Sequence, residues 1–128
     1  MKKKISVTYL GANHYFLNNT NLPKDINFPF LLYVGSRLKY KNFDFFVKAY
    51  AKSTKINKNF KILLFGGGKL TQKEKDLLCE LKVDEHKIIQ LEGNDNLLNF
   101  LYQKASAFIF PSVYEVFGLP IVESLKNK

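Results

Sequence analysis

The stretch FLLYVG at residues 30–35 decides the fold, because it is an unbroken apolar run that ends in a glycine. A strand covered by helices on both faces, as in a parallel sheet, shows such a run, whereas a half-exposed strand alternates apolar and polar residues. The run therefore predicts a buried strand of a parallel sheet, followed by a turn at Gly35.

Three more strands are predicted after this one, at residues 60–65, 87–91 and 107–110. Helical patterns separate them: one follows Asn42, one follows a Thr71–Glu74 capping box, and one begins at Asn94 or Asp95. A last helix begins at Pro120. Alternating strands and helices predict an α/β fold, a Rossmann-like parallel sheet flanked by helices, with the strands in the order 3-2-1-4. Cys79 is expected in the core, near the apolar face of its helix.

The stretch EVFGLPIVE, from Glu115 to Glu123, carries the most functional information. It places two carboxylates around a glycine turn and a helix start, directly after the fourth strand. Carboxylates accept hydrogen bonds from sugar hydroxyls, and free N–H groups at a helix start suit phosphates. The same spacing is also typical of an ordinary turn with two solvated glutamates, so the pattern alone leaves both interpretations open.

Two further features fall where predicted strands end, on the same edge of the sheet. The first is a basic turn that contains Arg37, Lys39 and Lys41, and it is either a diphosphate site or a basic surface loop. The second is a triple glycine at residues 66–68, which allows close approach of a ligand to the backbone or simply forms a flexible turn. It lacks the lysine and hydroxyl residue of a P-loop.

Composition narrows the class of protein. The chain has 128 residues and a net charge of +9, from 20 Lys and Arg against 11 Asp and Glu, which indicates an anionic partner. Arg37 is its single arginine, and nucleic-acid readers rely on arginine, so nucleic acid is disfavoured. One cysteine excludes an internal disulfide, and no apolar run is long enough to span a bilayer. We expect a cytoplasmic protein, with peripheral contact to the inner face of the membrane as a further expectation.

Together these motifs resemble the C-terminal half of a family 4 glycosyltransferase, also called glycosyl transferases group 1, with the GT-B fold. The matching pieces are residues 33–43, 64–68, 101–105 and 111–123, and the last is the most specific. Residues 1–29 then correspond to an interdomain strand, at residues 4–10, and a loop. Residues 30–128 correspond to a partial nucleotide-sugar-binding domain.

The resemblance implies a role for each matching residue. Glu115 would bind the donor sugar, Glu123 the ribose, and Arg37 and Lys41 the diphosphate, where they stabilise the charge on the leaving nucleotide. Donor contacts would also come from the backbone of the glycine turn before the last helix and of the triple glycine: Phe117, Gly118, Leu119, Gly66 and Gly67. The interval from Arg37 to Lys41 is one residue shorter than in many relatives, so Lys39 remains an alternative to Lys41.

The resemblance also implies a substrate, a type of reaction and a partner domain. It implies a nucleotide-sugar donor as substrate, a retaining reaction, no cofactor and no metal, since the fold lacks a metal-binding Asp-x-Asp. We expect the 128 residues to lack the acceptor-binding N-terminal domain of the family, and we therefore expect the chain alone to be inactive in sugar transfer. An uncovered fourth strand predicts self-association through residues 106–128, disorder of the final helix or poor solubility. The alternative is a basic module that binds nucleic acid or acidic lipid, or an inactive fragment.

Overall fold

A computed structural model describes residues 25–113 and 119–127. Its four strands are β1 (Phe30–Val34), β2 (Lys61–Phe65), β3 (Ile88–Leu91) and β4 (Ala107–Phe108). All pairings are parallel and the sheet order is β3-β2-β1-β4, which confirms the predicted order. The predicted strand at residues 4–10 lies outside the described residues.

Five helices connect or follow these strands: α1 (Phe43–Lys52), α2 (Thr54–Asn59), α3 (Gln72–Glu80), α4 (Asp95–Lys104) and α5 (Leu119–Lys126). The predicted helices are confirmed to within a residue at their starts, and α2 is an additional short helix. Ser53 caps α2 by accepting a hydrogen bond from the Ile56 amide at 3.4 Å. A 3-10 turn at residues 39–41 precedes α1.

Both faces of the sheet are buried, as the apolar run in β1 predicts. Alternate strand residues such as Leu31 and Ile62 pack against α1 and α3, whose contributions include Phe46, Val47 and Leu78. The intervening residues, such as Leu32 and Leu63, pack on the opposite face against Leu101, Tyr102 and Ala105 at the end of α4. The two layers of helices follow from right-handed crossovers, because the chain moves one way from β1 to β3 and then returns across the sheet to β4.

Two local predictions need correction. Asn42 does precede α1, but its side chain makes no capping bond; it has a left-handed φ of 59°, a conformation that asparagine tolerates better than most residues. Cys79 is exposed rather than in the core, because α3 turns Leu78 and Glu74 inward.

Leu63→Ala should destabilise the fold far more than Leu125→Ala. Leu63 is fully buried between the sheet and α4, and its truncation should cost about 2–5 kcal/mol of unfolding free energy. Leu125 is 73% exposed, and its truncation should change stability by less than about 0.5 kcal/mol. Denaturant unfolding of both variants measures the difference; equal losses would contradict the assigned core.

Candidate nucleotide-sugar site

The strand order reverses between β1 and β4, and we call the region at the carboxyl ends of these two strands the β1/β4 crevice. Ligands of open α/β sheets bind at such a switch point. The chain segments that leave β1 and β4 are joined there, because the Val113 amide donates to the Tyr40 carbonyl at 2.9 Å. Within the sheet, the Ile109 amide extends the pairing of β4 with β1 by donating to the Leu32 carbonyl at 2.8 Å. The basic turn and the segment that leads toward Glu115 therefore border the same crevice.

Lys41 lies at this junction. Its ammonium nitrogen is 5.2 Å from the centre of the Tyr40 ring and 6.0 Å from that of Phe110, which follows β4. Its side chain is half-buried, whereas Lys39 is exposed. Of the two lysines that the sequence left as alternatives, Lys41 is thus the one in contact with the β4 segment.

Arg37 is held tightly within the protein. Its Nε donates to Glu74 Oε1 at 2.9 Å, and its side chain is only 3% exposed. Nη2 donates to the carbonyls of Gly68 and Lys69 at 2.9 and 3.1 Å, and Nη1 donates to the Gly66 carbonyl at 3.4 Å. We call this set of bonds the Arg37 network. It fixes the guanidinium against the turn between β2 and α3.

The triple glycine that this network holds has backbone angles that favour glycine. Gly66, Gly67 and Gly68 have φ values of 75°, 77° and 73°. A Cβ on Gly67 would also lie 2.4 Å from the Gly35 carbonyl oxygen and 2.9 Å from Arg37 Nη1. Gly67 is therefore needed for the close packing of the two turns, independently of any ligand.

Glu74 is the residue of this region whose role the sequence did not reveal. The capping box is confirmed: the Thr71 hydroxyl accepts from the Glu74 amide, and Glu74 Oε2 accepts from the Thr71 amide at 2.7 Å. The second carboxylate oxygen binds Arg37, which lies 37 positions earlier. A capping box predicts only the local bonds, so no signal in the sequence pointed to the ion pair.

Two cavities flank the Arg37 network. One of about 820 Å³ lies between the basic turn and α3, with Arg37, Tyr40, Lys73 and Val113 among its lining residues. The other, of about 350 Å³, lies beyond the carboxyl ends of β2 and β3. Its walls include these residues: Gly66, Gly68, Lys69, Lys75, Gln90 and Glu92.

The remaining predicted contacts belong to the stretch from Glu115 to Glu123. Glu115, Phe117 and Gly118 lie outside the described residues. Leu119 is the first residue of α5, and Glu123 lies within that helix. The helix follows the β4 segment at the switch point and packs against α4, where Asn127 Nδ2 donates to Asn99 Oδ1 at 3.3 Å.

Within residues 25–113 and 119–127, no three His, Cys, Asp or Glu side chains are grouped to hold a metal ion. In the same part of the chain, every helix is too short or too polar to cross a bilayer.

Residues 16–128 match the profile of the family described as glycosyl transferases group 1. The chain belongs to this family. The chain also resembles a solved structure, the C-terminal domain of the glycosyl transferase group 1 family protein LpcC from Francisella tularensis. The TM-score is 0.59 at 21% identity, over 77% of this chain and 55% of that one. The predicted fold, the Rossmann-like C-terminal half of a GT-B protein, is thereby confirmed.

Two curated relatives extend the comparison. An uncharacterized glycosyltransferase of Methanocaldococcus jannaschii is 30% identical over 95% of this chain. The O-antigen chain mannosyltransferase RfbU of Salmonella typhimurium is 27% identical over 98% of the chain. In both cases the match covers 34% of the relative, so this group 1 chain spans about a third of their length.

Gly67→Ala should be clearly more harmful than Gly68→Ala. Both positions need a left-handed backbone, which costs an alanine about 1–2 kcal/mol. A Cβ at Gly68 meets open space, whereas one at Gly67 meets the Gly35 backbone, and displacing that backbone should add at least about 1 kcal/mol. Denaturant unfolding tests this; equal costs would mean that the two turns do not pack as described.

Proposed function

We propose that this chain is the nucleotide-sugar-binding half of a retaining, metal-independent glycosyltransferase. The observation that carries the proposal is the crevice between β1 and β4, where Lys41 meets the segment that leads toward Glu115. Parallel sheets bind nucleotides at this position. Membership of the glycosyl transferases group 1 family supports a sugar donor and an acceptor-binding partner domain.

In this proposal, the diphosphate of the donor lies between Lys41 and the beginning of α5. The ammonium group supplies a positive charge, and the first amides of a helix supply hydrogen-bond donors for phosphate oxygens. As the bond to the nucleotide breaks, negative charge develops on the diphosphate, and a cation fixed in place stabilises it without a metal.

Arg37 is proposed to contribute to the same diphosphate, in a restricted way. A guanidinium has five N–H groups, and four of them donate within the Arg37 network. One N–H on Nη1 is left for an oxygen of the donor. Because Glu74 already balances its charge, Arg37 acts mainly through geometry, and Lys41 is proposed as the second cation at the diphosphate.

The remaining donor contacts are assigned to the stretch from Glu115 to Glu123. Glu115 would accept hydrogen bonds from the sugar hydroxyls, and Glu123 from the ribose. The backbone of Phe117, Gly118 and Leu119 would contact the sugar and phosphate. The backbone of Gly66 and Gly67, which follows β2, is assigned a further contact with the nucleotide.

Sugar transfer needs a second domain to close the donor site. An open half-site does not exclude water, and a reactive sugar donor needs water excluded. We therefore propose that the chain alone binds a nucleoside diphosphate and transfers no sugar, and that an acceptor-binding domain completes the enzyme. The name of the O-antigen chain mannosyltransferase RfbU motivates a proposed role in polysaccharide or glycoconjugate synthesis.

Thermal shift of the 128-residue chain with UDP, GDP and ADP, each without metal, tests the proposal. We expect one of the three to raise the melting temperature, and a short oligonucleotide or vesicles of acidic lipid not to do so. Stabilisation by the oligonucleotide or the vesicles alone would favour the alternative of a basic binding module.

Lys41→Ala should weaken binding of the nucleoside diphosphate about tenfold or more, because it removes a charge-assisted contact that is worth about 1.5–3 kcal/mol. Its affinity for the uncharged nucleoside should stay unchanged. Lys52→Ala, which removes an exposed lysine at the far end of α1, is the matched control and should bind as the wild type does. Calorimetry measures the affinities of the wild type and of both variants. Equal losses of nucleoside diphosphate affinity in the two variants would mean that the lysines attract the ligand only non-specifically.

Glu123→Ala should weaken binding of the sugar-free nucleoside diphosphate by about tenfold, since a hydroxyl bonded to a carboxylate contributes about 1.5–3 kcal/mol. Glu115→Ala should leave this affinity unchanged and reduce only the additional affinity that the sugar provides. Calorimetry with the nucleoside diphosphate and with its sugar conjugate separates the two roles. Equal effects of both substitutions on the sugar-free nucleotide would contradict them.

A further inference from the structure

Glu74 connects two parts of the molecule that are distant in sequence. One carboxylate oxygen accepts from the Thr71 amide at the start of α3, and the other accepts from Arg37 Nε after β1. The residue is only 9% exposed. A buried carboxylate needs hydrogen-bond donors of this kind. A buried arginine that lost its carboxylate partner would keep an uncompensated charge. The position of Arg37 therefore depends on Glu74.

The Arg37 network also sets the direction of the loop amides. All peptide bonds of the described residues are trans, so each carbonyl points opposite to the N–H of the next residue. The carbonyls of Gly66 and Gly68 point to Arg37, and the amides of Gly67 and Lys69 therefore point away from it. Neither amide donates a hydrogen bond to another of the described residues.

The far side of the loop faces the smaller cavity. The Lys69 carbonyl accepts from Arg37, and the amide of the same peptide group, that of Leu70, donates to Gln90 Oε1 at 2.9 Å. Gln90 and Leu70 line the cavity of about 350 Å³, together with Lys69 and Lys75. Amides on this side of the loop are thus presented to a concave surface that carries two lysines and one carboxylate, Glu92.

We propose that Glu74 is a positioning residue of the donor site. It holds Arg37 on the carbonyl side of the loop, and Arg37 in turn directs the Gly67 and Lys69 amides toward oxygen atoms of the bound nucleotide. The inference rests on the proposed function, because it takes a nucleoside diphosphate as the ligand. Glu74 itself touches no part of the ligand.

The geometry explains why these two residue types are used. The planar guanidinium reaches a carboxylate and three carbonyls at once, which the single ammonium of lysine cannot do. Glutamine at position 74 keeps an oxygen for Arg37 but loses the charge, so Glu74→Gln should retain part of the effect. Glu74→Ala removes both.

The test is calorimetry of the full 128-residue chain with UDP, GDP and ADP, each without metal. For the nucleotide that the wild type binds, the affinity of Glu74→Ala should be about tenfold lower than that of the wild type. The affinity of Glu74→Gln should lie between those of the wild type and Glu74→Ala. Arg37→Ala should match or exceed the loss in Glu74→Ala. The double variant should bind within about twofold of Arg37→Ala, because both residues act through one network.

Thr71→Ala is the matched control. It removes the other half of the capping box without touching Arg37, so it should lower the melting temperature as Glu74→Ala does but leave nucleotide affinity unchanged. Amide hydrogen exchange of the unliganded chain adds an independent readout. Exchange at residues 66–70 should rise in Glu74→Ala and not in Thr71→Ala.

Each outcome decides between distinct alternatives. If the wild type binds none of the three nucleotides, the proposed function fails and this inference fails with it. If the wild type binds a nucleotide and Glu74→Ala binds it equally well, Glu74 only stabilises α3. The same conclusion follows if Thr71→Ala loses as much nucleotide affinity as Glu74→Ala does. Either result overturns this inference and leaves the proposed function standing. If Glu74→Ala binds more tightly, Glu74 competes with the ligand for Arg37, which also overturns it.

Discussion

The burial of β1 on both faces is the constraint from which the rest of the structure follows. A strand that is covered on both sides needs helices on both sides, and it needs a paired neighbour along each edge to satisfy its backbone groups. With right-handed crossovers, the chain can supply both layers only by reversing direction across the sheet. The reversal brings β4 next to β1, and the crevice at their carboxyl ends is where Lys41 and the segment toward Glu115 meet.

The Arg37 network gives this crevice a fixed wall. A turn with three consecutive positive φ values has little conformational preference of its own, so its shape must be imposed by other groups. Arg37 imposes it by binding the carbonyls of Gly66, Gly68 and the adjacent Lys69, and Glu74 holds Arg37. An Arg–Glu ion pair fixes the turn strictly, because each partner would be costly to bury without the other. The pair thus couples the geometry of the loop to the start of α3.

Much of the fold could be predicted from the sequence because its signals are local. The apolar run of β1, the alternation of strands and helices, and the Thr71 capping box each involve neighbouring residues, and all are confirmed. Long-range choices were not predictable: the capping box gave no sign that Glu74 binds Arg37, and that pairing also turns Glu74 inward while Cys79 on the same helix is exposed. For the site, the sequence predicted that Lys41 follows the carboxyl end of β1, as it does, but its contact with Phe110 depends on how β4 pairs with β1.

The central claim is that the crevice between β1 and β4 holds the diphosphate of a nucleotide-sugar. A crystal structure of the chain with the nucleoside diphosphate that it binds most tightly tests this claim most directly. The account predicts the diphosphate between the Lys41 ammonium and the beginning of α5, with the Arg37–Glu74 pair intact. A nucleotide bound elsewhere on the chain, or a diphosphate held by Arg37 after it has left Glu74, would contradict it.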